Sequence, residues 1–282
     1  MVTIGKLFAV VMTAAMMTAG SGAPVPDTGA LLQKAKETML QEESMSVMVE
    51  RQMDVEMDGE ITSTIIQSKM DTFAEPFKAN AEVTVMRNHE VSQRYSMYAV
   101  ENGSGVDTYS EMEGQWVHEA GTTADISQYD IWTQRERFLK NMSMLAADGT
   151  EEINGIQTVK ISGRLTGEAV TDVLEKSGID LVFGGLGWSL EELKTELKTM
   201  KELPVSLWIS PEGHLLRYEF DMTKGMQAAL DSLSGTEENF QTIVETKLRV
   251  TCSDFNQVPD VEIPQEILSG AMEFEKFCQE NL

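Results

Sequence analysis

In residues 45–57, "MSVMVERQMDVEM", apolar side chains alternate with mostly polar neighbours: Met45, Val47, Val49, Met53, Val55 and Met57. Successive side chains of an extended strand point to opposite faces, so a run this long at period two predicts one long strand with a single buried face. The following residues test that reading. In "DVEMDGEIT" the acids Asp54, Glu56 and Asp58 stand first, third and fifth and Gly59 stands sixth, as in a calcium loop of the EF-hand type. The twelfth position, where such a loop needs a chelating glutamate, is Ile65. Val55 and Met57 also belong to the apolar face of the strand. Asp58-Gly59 is a favoured pair for a two-residue hairpin turn, and a hairpin is the reading that follows.

The alternation recurs downstream. "FKANAEVTV" places Phe77, Ala79, Ala81, Val83 and Val85 on one face, and "EVSQRYSMYAV" follows a turn at Asn88. "GVDTYSEMEGQWVHEA" supplies one or two more strands, and "GIQTVKISGRLTG" another. "PVSLWISPEGHLLRYEFDM" reads as a hairpin around Pro211-Glu212-Gly213, and "TIVETKLRVTCS" as the last strand. Helical spacing occurs at Ala30 to about Glu43 (Leu31, Leu32, Ala35, Met39, Leu40) and from about Ile126 to Ala147. A short helix at "EAVTDVLEKSG" and one opened by the Ser189/Glu192 capping box follow, and "LVFGGLG" reads as an apolar loop. An irregular tail and a short helix end the chain. Strands interrupted by a few helices predict one α+β domain: a strongly curved antiparallel sheet wrapped around helices.

Before that domain, Lys6 is followed by "LFAVVMTAAMM" and the small-residue run "TAGSGA". This is the layout of a secretory signal peptide, expected over residues 1–22, with a single domain over 23–282. The apolar run falls short of the ~20 residues a spanning helix needs. Ser21 stands where a lipoprotein box would carry its cysteine, so a lipid anchor is not expected there, and the chain is expected in an extracytoplasmic, secreted or envelope location. Cys252 and Cys278 are the two cysteines. In an oxidising compartment a bond between them would tie the tail to the last strand, contributing about 3–4 kcal/mol; the other reading is two unrelated buried thiols.

Twenty-two basic against 46 acidic residues give a net charge of −24, which repels nucleic acid and anionic membrane surfaces. Catalytic patterns are missing. His89, His118 and His214 have no second ligand at metal spacing and read as turn residues, and no G-x-S-x-G elbow or phosphate-binding loop occurs. No catalytic residue, metal or cofactor is therefore expected. Methionine is abundant, 19 in all, and Met45, Met48, Met53, Met57, Met97 and Met222 lie on strands. Flexible thioethers suit a surface that adapts to varied apolar shapes.

The order of these elements resembles the LolA-like lipoprotein-carrier superfamily, in particular the LppX-type secreted or lipid-anchored branch of Gram-positive bacteria. The stretches that carry the resemblance are "TYSEMEGQWVHE" (108–119), "GIQTVKISGRLTGEAV" (155–170), "PVSLWISPEGHLLRYEF" (204–220) and "SDFNQVPDVEIPQEIL" (253–268). The resemblance implies an unclosed β-barrel around helices, with an apolar cavity that shelters a lipid or lipoprotein acyl chain without catalysis. Envelope lipoproteins and peripheral membrane contact are the partners that fit it. Cavity lining is expected from Val49, Met53 and Val55 on the first strand, and from Val83, Val85, Tyr95 and Met97 on the next pair. Trp208, Tyr218, Phe220 and Met222 on the late hairpin complete it. The segment 223–240 looks like an insertion before the last strand. The competing expectations are a cell-surface interaction module of the same fold with a filled core, and a hydrolase using scattered carboxylates.

Overall fold

A computed structural model describes residues 27–103, 105–122, 131–170, 173, 195, 200–234 and 241–281. The expected leader and Ser21 lie outside the described residues, as do "LVFGGLG", the Ser189/Glu192 capping box and most of "EAVTDVLEKSG", whose described part is helical at 168–170.

The first helix, α1 (Thr28–Met39), starts where the Asp27 side chain accepts a hydrogen bond from Gly29 N at 2.9 Å. It is followed by a meander: β1 (Ser44–Met57), β2 (Glu60–Phe73), β3 (Lys78–Arg87), β4 (Glu90–Glu101), β5 (Gly105–Met112) and β6 (Gln115–Thr122). The hairpin reading of Asp58-Gly59 holds: both residues take positive φ (54° and 82°), as a type I′ turn requires. Helix α2 (Ile131–Asn141) carries the chain across to a second meander. This comprises β7 (Ser143–Ile153), β8 (Ile156–Thr166), β9 (Glu202–Ile209), β10 (Leu215–Asp221), α3 (Thr223–Ser234) and β11 (Gln241–Ser253). The helical spacing that suggested a helix as far as Ala147 overreaches. Met144 adopts φ 53°, a left-handed conformation a helix cannot contain, and the chain is already β7.

Among the described residues all strands join one 12-stranded sheet in the order β12-β6-β5-β4-β3-β2-β1-β11-β10-β9-β8-β7. The first meander grows outward from β1 and the second returns inward, so that β11 pairs with β1 along its whole length. No ladder among the described residues joins β7 to β6 or β12, so the curved sheet is unclosed. Its inner face holds the core. Leu31, Leu32 and Ala35 of α1, Ile131 and Leu139 of α2, and Met226 and Leu230 of α3 are buried in one cluster with the strands.

After β11 the tail runs along one rim of the sheet. Asn256 binds the start of β1 through its backbone N (to Ser44 O, 2.8 Å) and its side chain (from Glu43 N, 2.6 Å), and Asp260 pairs with Lys78 of β3 at 2.8 Å. Helix α4 (Gln265–Gly270), β12 (Met272–Glu273) and α5 (Phe274–Asn281) follow. β12 is parallel to β6, and Glu273 Oε1 lies 3.1 Å from His118 Nδ1, whose Nε2 lies 3.3 Å from Asp107. Among the described residues no helix is long and apolar enough to cross a membrane.

Candidate functional site

Strand register assembles the inner face in rows. One runs Tyr95–Val83–Ser68–Val49–Val250–Tyr218–Leu207–Ile161, crossing eight strands from β4 to β8. The next contains Val85, Ile66, Arg51, Leu248 and Phe220, and a third contains Met97, Ala81, Met70, Val47 and Cys252. Met53, Val55 and Met222 extend the face toward the hairpin end. The structure thus brings ten of the eleven expected lining residues onto one face. Most are buried, but Val85 and Tyr95 are only half-buried at its β3–β4 side. Burial pushes the Tyr95 phenol up, against the opposing pull of Arg51.

Trp208 is the exception. On β9 the inward residues are Leu203, Val205, Leu207 and Ile209, which leaves Trp208 on the outer face with Leu216 and Ile153. Its ring is covered by Lys160 Nζ at 5.0 Å and Arg217 at 5.7 Å, and its Nε1 donates to Glu151 at 2.8 Å. Met48 likewise faces out, between Val47 and Val49 that face in, and Met57 ends β1 half exposed.

The inner face is not uniformly apolar. Arg135 of α2 is fully buried; its Nη1 lies 2.9 Å from Glu42 Oε2 and 3.1 Å from Met45 Sδ. The contact with Glu42 is close enough for an ion pair although not aligned as a hydrogen bond. Trp132 and Phe255 each present a ring 5.9 Å from the guanidinium. Glu42 also meets His214 Nδ1 at 2.8 Å, and His214 stacks on Phe255 at 4.5 Å. The α1–β1 junction, α2, the β9–β10 turn and the tail are locked together here. Gly213 makes that approach possible: a Cβ at its φ of 100° would lie 2.5 Å from Thr38 Oγ1 and 3.2 Å from Lys34 O. His214 is therefore a buried-pair partner rather than a loose turn residue. Arg51 and Arg135 carried a sequence signal, since Arg51 stands in phase with Val49 and Met53, and Arg135 lies midway between Ile131 and Leu139.

The expected Cys252–Cys278 bond is not formed, and both thiols are free. Cys252 points inward from β11, where burial pushes its thiol up to about 11. Cys278 rides on α5 against β6 and β12. Five strands lie between β6 and β11 in the sheet, whereas a disulfide spans Cα atoms at most about 7 Å apart.

A groove of about 670 Å³ opens on the outer face, running from Arg217 and Thr251 across β1 and β2 to Ser96 and Tyr98. The tip of the β7–β8 hairpin forms one wall. Ile153 is packed on Trp208 and Leu216, and Asn154 faces the groove.

The family model described as "Family of unknown function (DUF6612)" matches residues 27–176. Two proteins named lipoarabinomannan carrier protein LprG are similar to this chain. That of Mycolicibacterium hassiacum is 25% identical over 229 residues, covering 73% of this chain and 93% of its own length. That of Mycolicibacterium smegmatis is 26% identical over 222 residues, covering 71% and 86%. Among solved structures, lipoprotein LppX of Mycobacterium tuberculosis gives a TM-score of 0.47 at 17% identity, covering 84% of this chain and 100% of its own. LprF from Mycobacterium bovis gives 0.48 at 16% identity, covering 86% and 99%. The two LprG relatives bear out the expected resemblance to LolA-like carriers of the LppX/LprG type.

Proposed function

The chain belongs to the DUF6612 family of unknown function, and on that footing we propose that it is a non-enzymatic extracytoplasmic carrier of a lipid or lipoprotein acyl chain. The observation that carries this reading is the inner face itself. One mostly apolar row spans eight strands, and the β3–β4 side of the face stays half-open at Val85 and Tyr95. Similarity to proteins named as carriers supports the same class of ligand. The driving force is burial: each methylene removed from water contributes ~0.8 kcal/mol, so ten contribute ~8 kcal/mol before the cost of ordering the chain. Methionines on this face, Met53, Met70 and Met97, adapt to chains of different shape.

The test is to delipidate the protein and follow its melting temperature with oleate and with a diacyl phospholipid. Ligand at a hundred times its dissociation constant stabilises by about 2.7 kcal/mol, a rise of several degrees. Val85→Arg, at a half-buried site, should remove most of that rise. No stabilisation by either lipid, together with no lipid co-purifying from the native source by mass spectrometry, would overturn the reading.

A further inference from the structure

We propose that the groove on the outer face of the sheet is a second binding site, for a neutral saccharide chain. It lies on the side of the sheet opposite the inner face, so it is independent of the carrier reading.

The volume of about 670 Å³ falls in the ~300–1,000 Å³ range of small-ligand sites. Its chemistry narrows the occupant. The protein carries a net charge of −24, yet the groove balances Lys69 and Arg217 against Asp71 and Glu82. It is a locally neutral patch on an acidic molecule, so neither a polyanion nor a polycation gains by entering it. A lipid tail is disfavoured: Val47, Met70, Ala81 and Met97 also line the groove but alternate toward the inner face, which leaves Met48 and Tyr98 as the apolar residues of its outer-face rows. A peptide cannot add as a strand. β11, β1, β2 and β3 are paired on both sides and offer no free backbone edge.

What remains is a ligand whose groups both donate and accept. Each sugar hydroxyl does so, and the groove supplies matching pieces. Asn80 accepts from Asp71 N through Oδ1 at 3.2 Å, which leaves its Nδ2 donors for a ligand. Asp71 is held by the Ser46 hydroxyl at 2.6 Å, and Arg217 Nε by Thr251 Oγ1 at 3.1 Å. These side chains are oriented before anything binds, which lowers the ordering cost. Lys69, Glu82 and Asn154 make no ion pair or side-chain hydrogen bond among the described residues. At one end Tyr98 lies against Trp116, ring centroids 5.7 Å apart, a half-buried aromatic ledge that suits the C–H face of a sugar ring.

The experiment screens the full chain against an array of neutral and acidic glycans, then titrates the best neutral binder by calorimetry. Neutral glycans should bind, and Asn80→Asp, which keeps the acceptor but removes the Nδ2 donors, should weaken binding at least about tenfold. Tyr98→Ala should do the same, with circular dichroism confirming that both variants fold. Val85→Arg, aimed at the inner face, should leave glycan affinity unchanged. Binding by no neutral glycan, stronger binding by acidic glycans, or full affinity in both groove variants would each overturn the proposal.

Discussion

On β1 the residues Met45, Val47 and Val49 are buried, while Ser46, Met48 and Glu50 between them stay half-open. Neighbouring atoms of one backbone thus face two different environments. The inner side is mostly apolar and includes the buried Arg135–Glu42 pair. The outer side carries half-exposed pairs such as Arg249, which meets Glu50 at 3.0 Å and Glu219 at 2.8 Å. The contrast teaches where stability resides and where recognition is free to vary, because the energetic weights of the two sides differ severalfold.

Substitutions on the two sides of the sheet give the sharpest test. Phe220→Ala empties a fully buried site and should cost about 3–5 kcal/mol in urea unfolding. A loss under ~1 kcal/mol would mean that the inner face collapses easily or is not packed. Glu42→Ala should cost nearly as much, about 3 kcal/mol, because it strands the Arg135 charge inside. Replacing both partners together with Leu and Met should recover most of that loss. On the outer side, Arg249→Ala should cost no more than ~1 kcal/mol, and less in high salt. Equal penalties for Arg249 and Glu42 would erase the distinction.

The smallest effect concerns pH at the edge of the outer face. Burial pulls the His118 imidazole down, but the hydrogen bonds to Glu273 and Asp107 outweigh it and hold its pKa above the ordinary value. A raised pKa in the folded state contributes stability that is full below about 6.5 and is lost as pH rises through the folded value. Hydrogen exchange in residues 272–281, corrected for intrinsic rates, should therefore show a more firmly docked tail at pH 6 than at pH 8. Stronger protection at pH 8 would contradict the pairing.

Much of the inner face was legible because alternation is a local rule. Val49, Val83 and Tyr218 were assigned to it one strand at a time, and register then placed them in one row. Trp208 was misplaced for a reason visible afterwards. Strand β9 ends in three consecutive buried residues, Leu207, Trp208 and Ile209, and burial on both faces hides the period. The helix expected as far as Ala147 failed because its apolar spacing continues past a left-handed Met144 that spacing cannot report. The Cys252–Cys278 pairing failed because an oxidising compartment permits a bond but says nothing about where the sheet places the two thiols. The outer groove was invisible for a similar reason: it gathers polar residues from Ser46 to Ser253 that only the ladders joining β4, β3, β2, β1 and β11 make neighbours.

That ladder has a consequence for synthesis. Glu50 and Arg249, in contact across it, are separated by 199 positions in the chain. Hairpins of the first meander can close as soon as they emerge, but β1 keeps an unsatisfied hydrogen-bonding flank until nearly the whole polypeptide has been made. A newly made chain halted before residue 241 would therefore expose a sticky strand to its neighbours, and the slow step of its maturation is the arrival of the final long strand.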